Sequence, residues 1–240
     1  MKNKIHPIYQ DHHKVGGFAT QIREVVFGAE DGMVSTLGAI TGIAVGSGDQ
    51  FTVLLAGSVI IAVESISMGV GSYISNKTEK DTHKRRIKEE EHELREFPEG
   101  EKKELQEIYV KDGWPIDTAS IMVEVASQNE ELMLKEMSCH ELGVCTKDDG
   151  KGSIKSGVSM FFSYIVGGLI PLLPYFIFPF TTAMPISITI TMIGLFLLGV
   201  WTTRYSKRVW WKAGLELFAL AGLASVIGYL VGQMADKFLI

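Results

Sequence analysis

Cysteine is almost absent from this chain of 240 residues: Cys139 and Cys145 are the only two, with five residues between them. Two thiols at that spacing make neither a disulfide framework nor a zinc signature, and no disulfide or other role is expected of them. Charge is missing over a longer stretch. Between Lys155 and Arg204, 48 consecutive residues contain no Asp, Glu, Lys or Arg, although the average of 46% apolar and 21% charged would suit an ordinary soluble domain. A stretch of that length excludes a single soluble domain. A strongly basic surface is lacking too, at a net charge of −5, so nucleic acid is not an expected partner. No residues resemble a nucleophile with its base, or a phosphate-binding loop, and no enzyme is expected. Residues 1–14 have no apolar core, so a cleavable signal sequence is not expected there, and His6, His12 and His13 read as part of a polar tail rather than as metal ligands.

What is present is sorted along the chain. Residues 79–150 hold 20 of the 28 acidic and 11 of the 23 basic side chains, a balance of −9 against +4 elsewhere. The pattern is that of a membrane protein with an acidic, water-facing insert. About 20 apolar residues cross the ~30 Å of hydrocarbon as a helix. The uncharged stretch predicts two spans, near 155–177 and 184–203, with Pro179 and Pro185 bracketing the reversal. Further spans are expected near 213–235, which carries Glu216, and near 51–75, which carries Glu64. The run 32–48 is too short alone, but extended back to about Thr20 it becomes a first helix carrying Glu24, Glu30 and Asp31.

The expected fold is therefore all-α, with five transmembrane helices and a three-helix cytoplasmic insert between spans two and three. In residues this gives a polar cytoplasmic tail at 1–19, spans 1 and 2 in 20–78, the acidic metal-binding domain in 79–150 and spans 3 to 5 in 151–240. Lysine and arginine set the orientation. Lys2, Lys4, Lys14 and Arg23 precede the first span, Lys77 to Lys88 follow the second, and Arg204 to Lys212 follow the fourth, whereas the turns GSGDQ and PFTTAMP have none. The N-terminus and the insert are thus expected in the cytoplasm. Glycines at four-residue intervals (Gly28 and Gly32; Gly38, Gly42 and Gly46; Gly228 and Gly232) suit closely packed membrane helices and a dimer.

Carboxylates in membrane helices cost several kcal/mol unless paired, hydrated or neutralised. Asp31 is read as buried, with Glu30 about 100° away around the helix. Glu64 and Met68 are one turn apart and share a face; oxygen with sulfur favours a softer transition ion such as Fe²⁺. The run 167–174, with Gly167, Gly168, Pro171 and Pro174, is expected to weaken its helix and suggests a conduction path. In the insert, helices are expected over 77–96, 99–111 and 117–142, the last with Ile121, Val125, Leu132, Leu134 and Met137 among its apolar residues. The pairs Glu90/Glu93 and Glu101/Glu104 each project from one face, a fold at Pro98 brings them together, and Glu141 joins them. Carboxylates converging in this way read as a site for divalent metal. A rival reading uses Glu89 and His92, a single Glu-x-x-His of the di-iron kind, together with His83. It would make the protein a membrane-anchored iron-binding or ferroxidase-like one.

Three stretches, FGAEDGMVSTLGAITG around Asp31, SISMGVGSYIS with KTEKD at 65–81, and GGLIPLLPYF at 167–176, resemble the vacuolar iron transporter family. The resemblance runs from about Ile22 to the last span. It implies a homodimer that moves Fe²⁺, and in some relatives Mn²⁺, out of the cytosol in exchange for protons, with the metal as cargo and no prosthetic group. It assigns Asp31 and Met68 to the intramembrane path, and Glu90, Glu93, Glu101, Glu104 and Glu141 with Met137 to a cytoplasmic platform. Two departures stand out. Ile60 occupies a position where the family often has glutamate, one turn before Glu64, and Ser138 follows Met137 where relatives often carry a second methionine. The host membrane is expected to be a prokaryotic cell membrane or a vacuole-type one.

Overall fold

A computed structural model describes the backbone of residues 15–143 and 152–239 and the side chains of 21–143 and 152–238. The sequence expectations for Lys2, Lys4, Lys14, the three N-terminal histidines and Cys145 fall outside the described residues. Among the described residues the chain is all-helical: α1 (Val15–Ser47), α2 (Gln50–Glu96), α3 (Pro98–Lys111), α4 (Ile116–Ser127), α5 (Glu130–His140), α6 (Gly152–Ile177), α7 (Phe180–Ser206) and α8 (Trp210–Leu239). They divide into a helix bundle, Met1–Ile74 with Ser153–Ile240, and the insert, Ser75–Gly152.

In the bundle, four helices among the described residues are long and apolar enough to cross a membrane: α2, α6, α7 and α8. The sequence expectation was five such spans, and α1 is the one that falls short. It has the length, 33 residues, but Arg23, Glu24, Glu30 and Asp31 dilute its apolar character. Burial gives the physical reason the helix can carry them. Met33, Thr36, Leu37, Ile40, Thr41 and Ala44 of α1 are all buried among neighbouring helices, so α1 has less need of a greasy outer face. On α2 the situation is reversed, with Val59, Val63, Ile66 and Val70 all exposed, as suits a surface that meets lipid.

Backbone approaches fix the helix directions. Along α1, Gly38, Gly42 and Gly46 face Ala224, Gly228 and Gly232 of α8 in rising order, so these two helices run parallel. Gly28 and Gly32 meet Met160 and Tyr164 of α6, again in parallel. Gly57 and Gly69 of α2 meet Leu172 and Phe161 of α6, and Gly199 of α7 meets Ala213 of α8, both antiparallel. The five long helices therefore alternate in direction. A methyl group at Gly42 would stand 2.8 Å from the Gly228 carbonyl oxygen, closer than any side chain tolerates, so glycine is what allows this contact.

Two proline expectations need correction. Pro171 and Pro174 lie inside an unbroken α6, so the weakening expected at 167–174 does not interrupt the helix; Gly167 and Gly168 pack directly on α1 and α2, and the Ser187 hydroxyl donates to the Pro171 carbonyl at 2.6 Å. Pro179 caps α7, but Pro185 lies within that helix rather than at the reversal. A proline near a helix start sacrifices few backbone bonds.

The insert begins as the continuation of α2, whose 47 residues change from apolar to charged without interruption. Phe97 leaves helical geometry at φ −131°, ψ 50°, and Pro98 starts α3, where a missing N–H is harmless. The single helix expected over 117–142 is in fact two. Asn129, at φ −136°, ψ 110°, interrupts it and accepts hydrogen bonds from the Glu131 and Leu132 amides, an N-cap that starts α5. The core comprises Leu94, Leu105, Tyr109, Ala119, Val123, Ala126, Met133 and Met137. Ile121 and Val125, two of the apolar residues of the expected helix, are exposed, and Ala119, Val123 and Ala126 turn inward.

Candidate functional site

The insert core explains where its acids go. Leu94, Leu105 and Met137 sit together in it, and each has a glutamate one turn away on the same helix face: Glu90 on α2, Glu101 on α3 and Glu141 at the end of α5. Packing the apolar residues therefore draws the carboxylates to one place. Glu90 and Glu101 are buried, at 3% and 6% exposure, whereas Glu93, Glu104 and Glu141 are exposed. Burial, followed by the charges of Glu141, Glu101 and Glu93, pushes Glu90 up to about 8. Glu101 is raised by burial and then by Glu104 and Glu93. Glu104 is raised by burial and then by Glu141 and Glu93. All five glutamates singled out in the sequence are thus electrostatic neighbours.

Two oxygens in this group, Glu90 Oε1 and Glu101 Oε2, are buried without a hydrogen-bond partner, as is Ser138 Oγ beside the fully buried Met137. The arginine and lysine pairs Arg85–Glu89, Arg95–Glu91, Arg95–Glu130 and Lys102–Glu99 engage other acids. Among the described residues no three His, Cys, Asp or Glu side chains stand in a ready-made metal-holding arrangement. A bound cation would offset the mutual repulsion of these carboxylates.

Several neighbours were not legible from spacing. Tyr109 Oη donates to Glu136 Oε2 at 2.9 Å, and His140 lies between Asp112 (Nδ1 at 3.1 Å) and Glu136 (Nε2 at 3.5 Å) while its ring meets Tyr109 edge-on. This network ties the end of α3 to the last turn of α5, next to Met137 and Glu141. Burial pushes the Tyr109 hydroxyl up, helped by Glu136. Cys139 is disulfide-bonded, which corrects the expectation that no disulfide forms. Its partner lies outside the described residues. In the rival constellation, Glu89 pairs with Arg85 at 3.4 Å, both well exposed, and His92 is exposed, while Glu90 next to Glu89 turns inward.

In the bundle, Asp31 on α1 is half-buried and Glu64 on α2 is exposed, yet they are close enough for their charges to interact. Both act on the hydroxyl of Tyr164 from α6. Tyr164 is fully buried, and its Oη lies 2.6 Å from Ser35 Oγ, which in turn donates to the Asp31 carbonyl at 2.7 Å. Met68, half-buried, follows Glu64 by one turn. Glu30 is half-buried beside Asp31, and Ile60 is half-buried one turn before Glu64. Sequence reasoning missed Tyr164 and Ser35, and it gave Glu24 no role. Glu24 is buried and accepts a 2.9 Å hydrogen bond from Ser72.

Comparison with known proteins fits this picture. Vacuolar iron transporter 1 of Arabidopsis thaliana is 29% identical over 229 residues, covering 94% of this chain and 91% of that protein. Vacuolar iron transporter 1 of Oryza sativa subsp. japonica is 31% identical over 221 residues, covering 91% and 87%. The vacuolar iron transporter of Plasmodium falciparum is 26% identical over 220 residues, covering 88% and 81%. The family model described as the VIT family matches residues 22–233, so a membrane chain with acids gathered in its insert and enclosed in its bundle belongs to the VIT family, a family of transporters.

Proposed function

We propose that this chain exports Fe²⁺, with Mn²⁺ as the alternative ion, from the cytosol across a membrane in exchange for protons. The observation that carries the reading is the convergence of Glu90, Glu93, Glu101, Glu104 and Glu141 around buried carboxylate oxygens that lack partners, with Met137 beside them. Oxygen donors with a thioether suit Fe²⁺ or Mn²⁺ better than Mg²⁺. In this reading the insert is cytoplasmic and its acidity raises the local concentration of divalent cations. The ion then moves through the bundle by way of Asp31, Glu64 and Met68, and the carboxylates that release it take up protons. Glu64 stands in for the glutamate that the family often carries at Ile60.

On the same reading α1 is a fifth crossing, enclosed by the four apolar ones; its alternation with them and its buried middle support this. The functional unit is a homodimer. A groove of about 710 Å³ between α1 and α8, lined by Gly38, Gly42, Gly46, Gly228, Gly232 and Ser35, offers an apolar seam for a second copy. The host is a prokaryotic cell membrane or a vacuole-type membrane.

Purified protein in proteoliposomes tests the reading. Wild type is expected to move Fe²⁺ against a proton gradient, and Asp31→Ala to lose about a hundredfold in rate. A wild type that moves neither Fe²⁺ nor Mn²⁺, or an Asp31→Ala variant as active as wild type, would refute it.

A further inference from the structure

Glu24 is a buried carboxylate that the route through Asp31, Glu64 and Met68 leaves unused. Seven residues separate it from Asp31 on α1, almost two full turns, so the two side chains share a helix face about 10 Å apart along the axis. Its hydrogen-bond partner Ser72 lies on α2, one turn beyond Met68 and two beyond Glu64. The charge interaction of Asp31 with Glu64 and the hydrogen bond of Ser72 to Glu24 therefore stand in register along the same two antiparallel helices.

The charge on Glu24 is compensated in an unusual way. A serine hydroxyl is neutral, so the counter-charge comes from Arg23, whose Nη2 reaches Glu24 Oε1 at 3.0 Å. Adjacent residues on a helix point about 100° apart, so the arginine must fold back along the surface to make this contact. The two side chains differ sharply in exposure, 68% for Arg23 and 5% for Glu24. An ion pair with one partner so exposed is weakly held. The carboxylate is fixed in the bundle, while its cation is a long arm that water can reclaim.

We propose that Glu24 and Ser72 form a second station for the divalent cation on the cytoplasmic side of Asp31, and that Arg23 is a tethered cation which the metal displaces on arrival. The proposal rests on the transport reading above. A divalent ion brings twice the charge of the guanidinium and takes oxygen from both Glu24 and Ser72. When the ion leaves towards Asp31, Arg23 returns, so the buried carboxylate is not left uncompensated and the ion is discouraged from slipping back.

The test is Fe²⁺ flux under anaerobic conditions, with the full chain in proteoliposomes. Glu24→Gln is expected to lower maximal flux about tenfold and Ser72→Ala about threefold, while Glu24→Asp retains most of it. Arg23→Gln removes the competitor, so the Fe²⁺ concentration for half-maximal flux should fall about threefold, whereas Arg23→Lys should stay near wild type. Wild-type flux in Glu24→Gln, or an unchanged or higher half-saturation concentration in Arg23→Gln, overturns the proposal. The Arg23 variant alters an exposed side chain and decides the matter even if Glu24→Gln does not fold. Where wild type transports and Asp31→Ala does not, a silent Glu24→Gln sinks only the station; where wild type itself is inactive, the transport reading falls first.

Discussion

The insert and the bundle handle the same functional group by opposite means. In the insert, carboxylates come in numbers: five share one end of a small apolar core, two of them buried and three at the rim. Mutual repulsion is the means by which that site would attract a cation. In the bundle, carboxylates come singly or in pairs, each next to a hydroxyl or a single charge. Asp31 has Glu64 and the Tyr164–Ser35 hydroxyls nearby, and Glu24 has Ser72 and Arg23. A site that collects ions from water benefits from excess negative charge. A route through lipid must keep each charge nearly balanced at every step, because an unbalanced one is expensive there.

Three measurements would break or sharpen this contrast. The largest effect is expected from the double substitution Glu90→Gln with Glu101→Gln, which keeps the shape of the buried pair and removes its ability to ionise when a cation arrives. Calorimetric titration of the solubilised protein should show Fe²⁺ or Mn²⁺ affinity reduced about a hundredfold. Affinity within a factor of two of wild type would mean that the cluster is not the collecting site.

A smaller effect should appear in stability against pH. Glu90, raised from 4.5 to about 8, binds more protons when folded than when unfolded at pH values between those limits. Stability from this group is thus fully present below pH 4.5 and is lost as pH rises through 8. Metal-free protein should melt at a lower temperature at pH 8.5 than at pH 5.5, by a few degrees. Glu90→Gln should flatten the difference, and so should added Mn²⁺. A melting temperature that rises with pH in the metal-free wild type would contradict the electrostatic picture of the insert. The smallest effect concerns the break between α4 and α5. Asn129→Ala removes the cap and should cost about 1 kcal/mol in chemical unfolding of the insert, with transport largely retained; no measurable loss would show the break to be held by packing alone.

Local spacing made part of this legible. Glu90/Glu93 and Glu101/Glu104 could be paired from sequence because three residues on a helix always return near the same face, and Pro98 marks the fold between them. The division at Asn129 was hidden because the flanking residues, Gln128 and Glu130, are good helix formers. Ile121 and Val125 could be counted as apolar but not placed, because composition does not say which face turns inward; the interior takes Ala119 and Ala126 instead. Ser72 and Tyr164 were invisible for another reason: their partners, Glu24 and Ser35, lie 48 and 129 residues away in the chain. The buried acids of α1 could be recognised as costly, but what compensates them could not be read from any one segment.

The enclosed position of α1 bears on how the protein is made. Acidic residues near the centre of a nascent helix weigh heavily against its partition into lipid, by roughly 2.5–3.5 kcal/mol each. With Glu24, Glu30 and Asp31 aboard, α1 is a poor candidate to enter the bilayer unaided as it leaves the ribosome. A glycine seam that receives it belongs to α8, synthesised after the other described helices. The packing of α1, begun on α6, is thereby completed only when α8 arrives, and a chain truncated before α8 should leave the glycine face of α1 exposed to cellular quality control.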